Sequence, residues 1–141
     1  MINISKKLSS KINLIPGCAS QLLDQLHGLA LTKEDLFKIK LCLEEALANA
    51  VVHGNHLRSE LPVAISLRVK EEAVEIDVVN QGEGFDFRKL DDPRREEKRG
   101  KLHGRGLFLI KNNMDKIDFF DHGRGITMTK FFTQRGVGCG H

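Results

Sequence analysis

The spacing of hydrophobic positions changes several times along the chain, and each change predicts an element. From Ile2 to Ile15 the alternation is loose and predicts an N-terminal strand, broken at Pro16-Gly17. From Ala19 to Leu29 the apolar residues Leu22, Leu23, Leu26 and Leu29 fall on one face of a helix. Thr32 suits a helix N-cap, with Asp35 three residues on to close a capping box. The helix it opens runs from Lys33 through Leu36, Phe37, Ile39, Leu43, Leu47 and Val51 to about His53, where Gly54-Asn55 stops it. Pro62 then opens a run in which Val63, Ile65, Leu67 and Val69 share a face at period two. After Lys70-Glu71-Glu72 the chain turns back through Ala73 to Val79, with Val74, Ile76 and Val78 on one face. Gly106 to Met114 predicts a third helix. Lys116 to Asp121 and Gly125 to Phe132 predict a closing hairpin across His122-Gly123-Arg124. This order predicts an α+β fold: a two-layer α/β sandwich, with a mixed, mostly antiparallel sheet and helices on one face.

Composition narrows the class. A length of 141 residues predicts one domain spanning 1–141, and 40% hydrophobic with 29% charged residues suits a soluble globular protein. No apolar run approaches the roughly 18 residues of a membrane span, and the N-terminus has no signal-peptide core, so a cytoplasmic protein without membrane contact is expected. Three cysteines without CxxC spacing predict reduced thiols, not a disulfide frame or a zinc site. The net charge is +3, and the stretch Arg88 to Lys101 holds seven basic and four acidic residues, which is the whole excess. That stretch has mixed signs and no aromatic residue, which argues against a nucleic-acid surface and for a solvated loop, while its position between the two glycine motifs favours a third reading, a mobile basic cover over phosphates.

The chemistry gathers in three segments. Glu45 and Asn49 lie at i and i+4, so both project from one face of the long helix. The Asn49 carboxamide oxygen is a hard ligand suited to Mg²⁺, which takes one or two protein oxygens and fills its octahedron with water and phosphate. Glu45, one turn away, suits a general base toward a hydroxyl or water. The turn Asn80-x-Gly82-x-Gly84 leaves a strand, where glycines let a ligand approach the backbone and Asn80 can meet the edge of a base. Gly104-Arg105-Gly106, with Leu107 following, precedes a helix whose free N-terminal amides can hold phosphate. The pattern is not a Walker A loop, and no GxSxG elbow occurs.

Glu44-Glu45-Ala46-Leu47-Ala48-Asn49-Ala50-Val51-Val52-His53-Gly54-Asn55, Asn80-Gln81-Gly82-Glu83-Gly84-Phe85-Asp86 and His103-Gly104-Arg105-Gly106-Leu107-Phe108-Leu109-Ile110 resemble, in order and spacing, the N, G1 and G2 boxes of the GHKL ATPase/kinase superfamily. Within it, the chain resembles the stand-alone anti-sigma-factor serine kinases of bacterial switch systems. The resemblance implies a Bergerat ATP-binding fold, ATP with Mg²⁺ as cofactors, and a lid over the nucleotide at about 87–102. It implies phosphorylation of a serine or threonine on a small anti-sigma-factor antagonist protein, binding of a sigma factor, and homodimerisation. Glu45 takes the general-base place and Asn49 the Mg²⁺ place. By the same resemblance Asn80, Gly82 and Gly84 would shape the adenine pocket, and Gly104, Arg105, Gly106 and Leu107 would lie at the phosphates.

Two positions depart from the pattern. Asn80 stands where the superfamily usually has an Asp, and Arg124 where it often has a Thr. A neutral acceptor is weaker than a charged one, so Asn80→Asp is expected to tighten ATP binding. The alternative to an active kinase is a non-catalytic regulatory binding module on the same fold with weak or no nucleotide binding. A third reading is one part of a larger switch protein.

Overall fold

A computed structural model describes residues 2–81, 86–88 and 106–133. Five strands form one sheet in the order β1-β2-β3-β5-β4: β1 Ile2–Ser9, β2 Pro62–Val69, β3 Ala73–Val79, β4 Lys116–Phe120 and β5 Gly125–Phe131. Three helices, α1 Ile15–Asp24, α2 Lys33–Asn49 and α3 Gly106–Asn113, cover one face. Every pairing in the sheet is antiparallel, which corrects the expectation of a mixed sheet. The reason is topological. β3 and β4 run the same way on either side of α3, but β5 lies between them, so no parallel ladder forms.

The period-two patterns place the core. Val63, Ile65, Leu67 and Val69 of β2 stack beside Val74, Ile76 and Val78 of β3 and Ile126 and Met128 of β5, all buried. Leu43, Ala46, Leu47 and Ala50 at the buried side of the long helix complete that core from above. The opposite face of the sheet is polar in its middle. There Arg68 forks between Asp77 (2.8 Å) and Glu75 (3.0 Å), and Thr127 Oγ1 donates to Asp77 at 2.7 Å.

The Thr32–Asp35 capping box forms as expected, with Asp35 N–H donating to Thr32 Oγ1 at 2.9 Å and Thr32 N–H to the Asp35 carboxylate at 3.1 Å. The first helix differs from the expected span. It begins at Ile15, because Pro16 within its first turn has no donor to lose there, and it ends at Asp24. α2 stops as a regular helix at Asn49 and continues as one wider π turn over Ala50–Gly54.

Lys130 sets the direction of α3 against α2. Its buried ammonium donates to the Asn113 carbonyl at the end of α3 (2.7 Å) and lies 4.0 Å from Asp35 at the start of α2. Cys42 and Leu109 meet midway along the two helices. The helices are therefore antiparallel, and the start of α3 lies toward the end of α2.

Candidate nucleotide site

Three parts of the chain converge at one end of the sandwich: the end of α2, the exit of β3 and the start of α3. On α2, Asn49 is 3% exposed and its amide nitrogen donates to both the Glu45 carbonyl and the Glu45 carboxylate, each at 2.9 Å. The two residues form one unit. With the amide nitrogen committed to Glu45, the orientation of the carboxamide is fixed, and its hard oxygen is the atom suited to a cation. No cluster of three or more His, Cys, Asp or Glu side chains with metal-ligand geometry occurs among the described residues. Mg²⁺ needs no such cluster, so the Asn49 oxygen with a phosphate-bearing ligand fits its donor requirement. Burial first, partly opposed by Lys130 and assisted by Glu45, pushes the neighbouring Cys42 thiol up to about 12, which removes it as a nucleophile.

The π turn after Asn49 ends on a residue whose role the sequence did not disclose. Asn55 N–H reaches back to the Ala50 carbonyl at 2.9 Å, the wide closure that marks such turns. The Asn55 side chain is fully buried. Its nitrogen contacts Ser10 Oγ (3.0 Å) and the Leu61 and Pro62 carbonyls (both 3.1 Å), and its oxygen accepts the Gln81 N–H at 2.9 Å. One carboxamide thus joins the end of α2, the segment after β1, the entry to β2 and the exit of β3. As sequence it is only the residue after a helix-ending glycine, because two of its partners, Ser10 and Gln81, lie 45 and 26 residues away.

At the exit of β3, Asn80 is 2% exposed, and its side-chain nitrogen donates to the Arg124 carbonyl at 2.8 Å. Its backbone N–H points to the same carbonyl at 3.3 Å. A carboxylate could not make the side-chain bond. This contact argues against the expectation that Asp at 80 would tighten ATP binding, since an acceptor stands opposite that atom. Arg124 enters the site through its backbone. Thr127, the nearest threonine, lies on the far face of the sheet against Asp77 and does not serve the pocket. Gly54 explains how Asn80 reaches the helix end: a Cβ at residue 54 would stand 2.5 Å from the Asn80 Cβ.

The third part begins at Gly106, which is buried where α3 starts. The Leu107 side chain is 2% exposed and belongs to the core, so what it can offer a phosphate is its backbone amide. Gly82, Gly84, Gly104 and Arg105, with the expected lid from residue 89 onward, lie outside the described residues. Phe87 and Arg88, the first two residues of the expected lid, are described. Phe87 is fully buried, while Arg88 pairs with Asp86 at 2.7 Å and donates to the His122 carbonyl at 3.2 Å. The β4–β5 turn accepts this approach because Gly123 has φ +85 and no side chain; a Cβ there would stand 1.9 Å from Asp86 Oδ1.

Known proteins share both the sequence pattern and the fold. The serine-protein kinase RsbW of Oceanobacillus iheyensis is 26% identical over 118 residues, covering 79% of this chain and 75% of its own. Anti-sigma F factors of Bacillus thuringiensis and Bacillus mycoides are 28% identical over 115 residues, covering 77% of each chain. The crystal structure of the RsbU and RsbW domains of Rv1364c from Mycobacterium tuberculosis superposes with a TM-score of 0.62 at 18% identity, over 94% of this chain. At that identity the likeness is one of fold, and this chain spans 32% of that longer one. A family model described as histidine kinase-like ATPase domain matches residues 14–130, from the start of α1 to the end of the sheet. The chain belongs to the histidine kinase-like ATPase domain family.

Proposed function

We propose that the chain is an ATP-dependent protein serine/threonine kinase that acts as an anti-sigma factor in a cytoplasmic partner-switching system. Its substrate is a small anti-sigma-factor antagonist protein, its other partner is a sigma factor, and it works as a homodimer. The names of the relatives support the reading at the level of the protein. The observation that carries it at the level of chemistry is the Glu45–Asn49 unit, a carboxylate and a carboxamide locked together beside the Asn80 strand exit.

Bound ATP with Mg²⁺ supplies the phosphoryl group for transfer to a hydroxyl. Asn49 would hold the cation through its oxygen. Glu45 accepts one hydrogen bond from Asn49, and its other carboxylate oxygen makes none among the described residues, so it can take the proton of an incoming serine hydroxyl. Asn80 would orient the base. The amides at Gly106 and Leu107 would hold the phosphates, and Gly82, Gly84, Gly104 and Arg105 keep the nucleotide-binding roles that the sequence motifs imply.

Titration calorimetry of ATP with and without Mg²⁺ is the first test, since a chain without Trp or Tyr gives little intrinsic fluorescence. Mg-dependent saturable binding is expected. Asn49→Ala should abolish the Mg²⁺ dependence. Glu45→Ala should keep ATP binding and lose phosphotransfer by roughly 10²–10⁴-fold, the range for a positioned general base. Unchanged turnover in Glu45→Ala overturns the base assignment. A folded protein that binds no ATP overturns the kinase and leaves the non-catalytic module.

A further inference from the structure

At the end of the helical layer away from the candidate site, α1 and the first half of α2 enclose a groove of about 320 Å³. Leu23 of α1 and Leu36 and Phe37 of α2 form its apolar walls, and His27, Lys33 and Lys40 form its rim. Phe37 is 65% exposed, the most exposed of the large hydrophobic side chains among the described residues. A lone exposed apolar residue needs no explanation, but an aromatic ring lining a concave apolar surface does. The charge around it is also uneven. Lys38, on the same helix, is neutralised by Glu34 at 3.3 Å, whereas Lys33 and Lys40 form no ion pair among the described residues. His27, on the same rim, lies 3.7 Å from Asp24.

We propose that this groove docks an amphipathic helix of a partner protein, one that inserts a large apolar side chain beside Phe37 and sets acidic residues against Lys33 and Lys40. Helix-in-groove recognition uses apolar anchors at helical spacing, and complementary charge fixes the register and speeds encounter. A second copy of this chain is disfavoured, because a two-fold contact would set like-charged rims against each other. A bilayer is a poorer fit than a helix, because the apolar surface is concave. The proposal is independent of nucleotide binding.

Two synthetic helical peptides test it. Both carry leucines at i, i+3, i+4 and i+7; one has glutamates flanking them and the other lysines. Binding is measured by fluorescence anisotropy, and backbone amide NMR shifts locate it. The glutamate peptide should bind saturably, at least ~10-fold more tightly than the lysine peptide, with shifts confined to the α1–α2 groove. Phe37→Ala should weaken it at least ~10-fold, as expected of a buried aromatic anchor, while leaving ATP titrations unchanged. The double variant Lys33→Glu, Lys40→Glu should reverse the preference and bind the lysine peptide. Equal binding of the two peptides, shifts elsewhere, no dependence on Phe37, or no saturation at about 1 mM overturns the proposal. So does a Phe37-dependent affinity for phosphatidylserine vesicles exceeding that for the peptide, which would assign the groove to membranes.

Discussion

Replacing Asn80 by Asp tests the geometry of the proposed base pocket. In the native protein the Asn80 nitrogen donates to the Arg124 carbonyl at 2.8 Å from a side chain only 2% exposed. Asn80→Asp deletes that donor and sets a carboxylate oxygen against the same carbonyl. A lost neutral hydrogen bond costs about 1 kcal/mol, and a buried acceptor facing another acceptor adds about 1–3 kcal/mol, so a loss of about 2–4 kcal/mol at pH 8 is expected. The loss must depend on pH. Burial and the facing carbonyl raise the native pKa of the introduced carboxyl above its unfolded value of about 3.9. Below the unfolded pKa the acid is protonated in both states and can donate to Arg124, so the penalty vanishes. It grows as pH rises toward the native pKa and then levels off. A 3 kcal/mol penalty places that native pKa about two above the unfolded one. Urea unfolding followed by far-UV circular dichroism at pH 4 and pH 8 measures the effect, and ATP calorimetry measures its consequence. Equal midpoints at pH 8, or tighter ATP binding by Asn80→Asp, would refute the reasoning.

Other consequences follow from single contacts. Gly54→Ala places a methyl 2.5 Å from the Asn80 Cβ; it should cost about 1–3 kcal/mol by overpacking and weaken ATP binding more than Mg²⁺ dependence, which calorimetry separates. Burial raises the pKa of Asp77, but the hydrogen bonds from Arg68 and Thr127 and the Arg68 charge outweigh it and leave the pKa lowered. Asp77 therefore stabilises the fold above its unfolded pKa, near 3.8, and that stability is lost as pH falls through the lower native value. Thr127→Val should accordingly be less stable than the wild type at pH 7 and converge with it under strong acid, as read by urea midpoints. Cys42, fully buried and with its thiol pushed up to about 12, should resist maleimide at pH 8 until the chain is unfolded.

What was legible in the sequence was whatever depended on local spacing. The spans of β2 and β3 follow directly from their alternation, Pro62 and the Lys70-Glu71-Glu72 turn. The capping box follows from Thr32 and Asp35, and the Glu45–Asn49 pairing from a four-residue spacing. The misplaced start of α1 has a local cause, because Pro16 can open a helix as readily as end a strand. Other features were invisible for a different reason. The insertion of β5 between β3 and β4 is decided by which faces pack, not by the pattern within either strand. Lys130 falls on the helix-facing side of β5 among apolar neighbours, and only the Asn113 carbonyl with Asp35 and Asp115 makes a buried ammonium tolerable there.

The three site asparagines share one physical logic. Asn49 gives its amide hydrogens to Glu45, Asn55 to the groups around Leu61 and Pro62, and Asn80 to Arg124. In each case the atom opposite the nitrogen is an acceptor, so a carboxylate of the same shape would lose a bond and gain a repulsion. Anchoring by the nitrogen fixes where each oxygen points. The Asn55 oxygen holds the Gln81 amide, which sets the direction in which β3 leaves the sheet. Asn49 and Asn80 are fixed in the same way at the end of α2 and beside Gly54. The neutral residue at position 80 therefore need not mark a decayed pocket. It is the side chain whose nitrogen can hold the carbonyl that the Arg124 backbone presents at this strand exit.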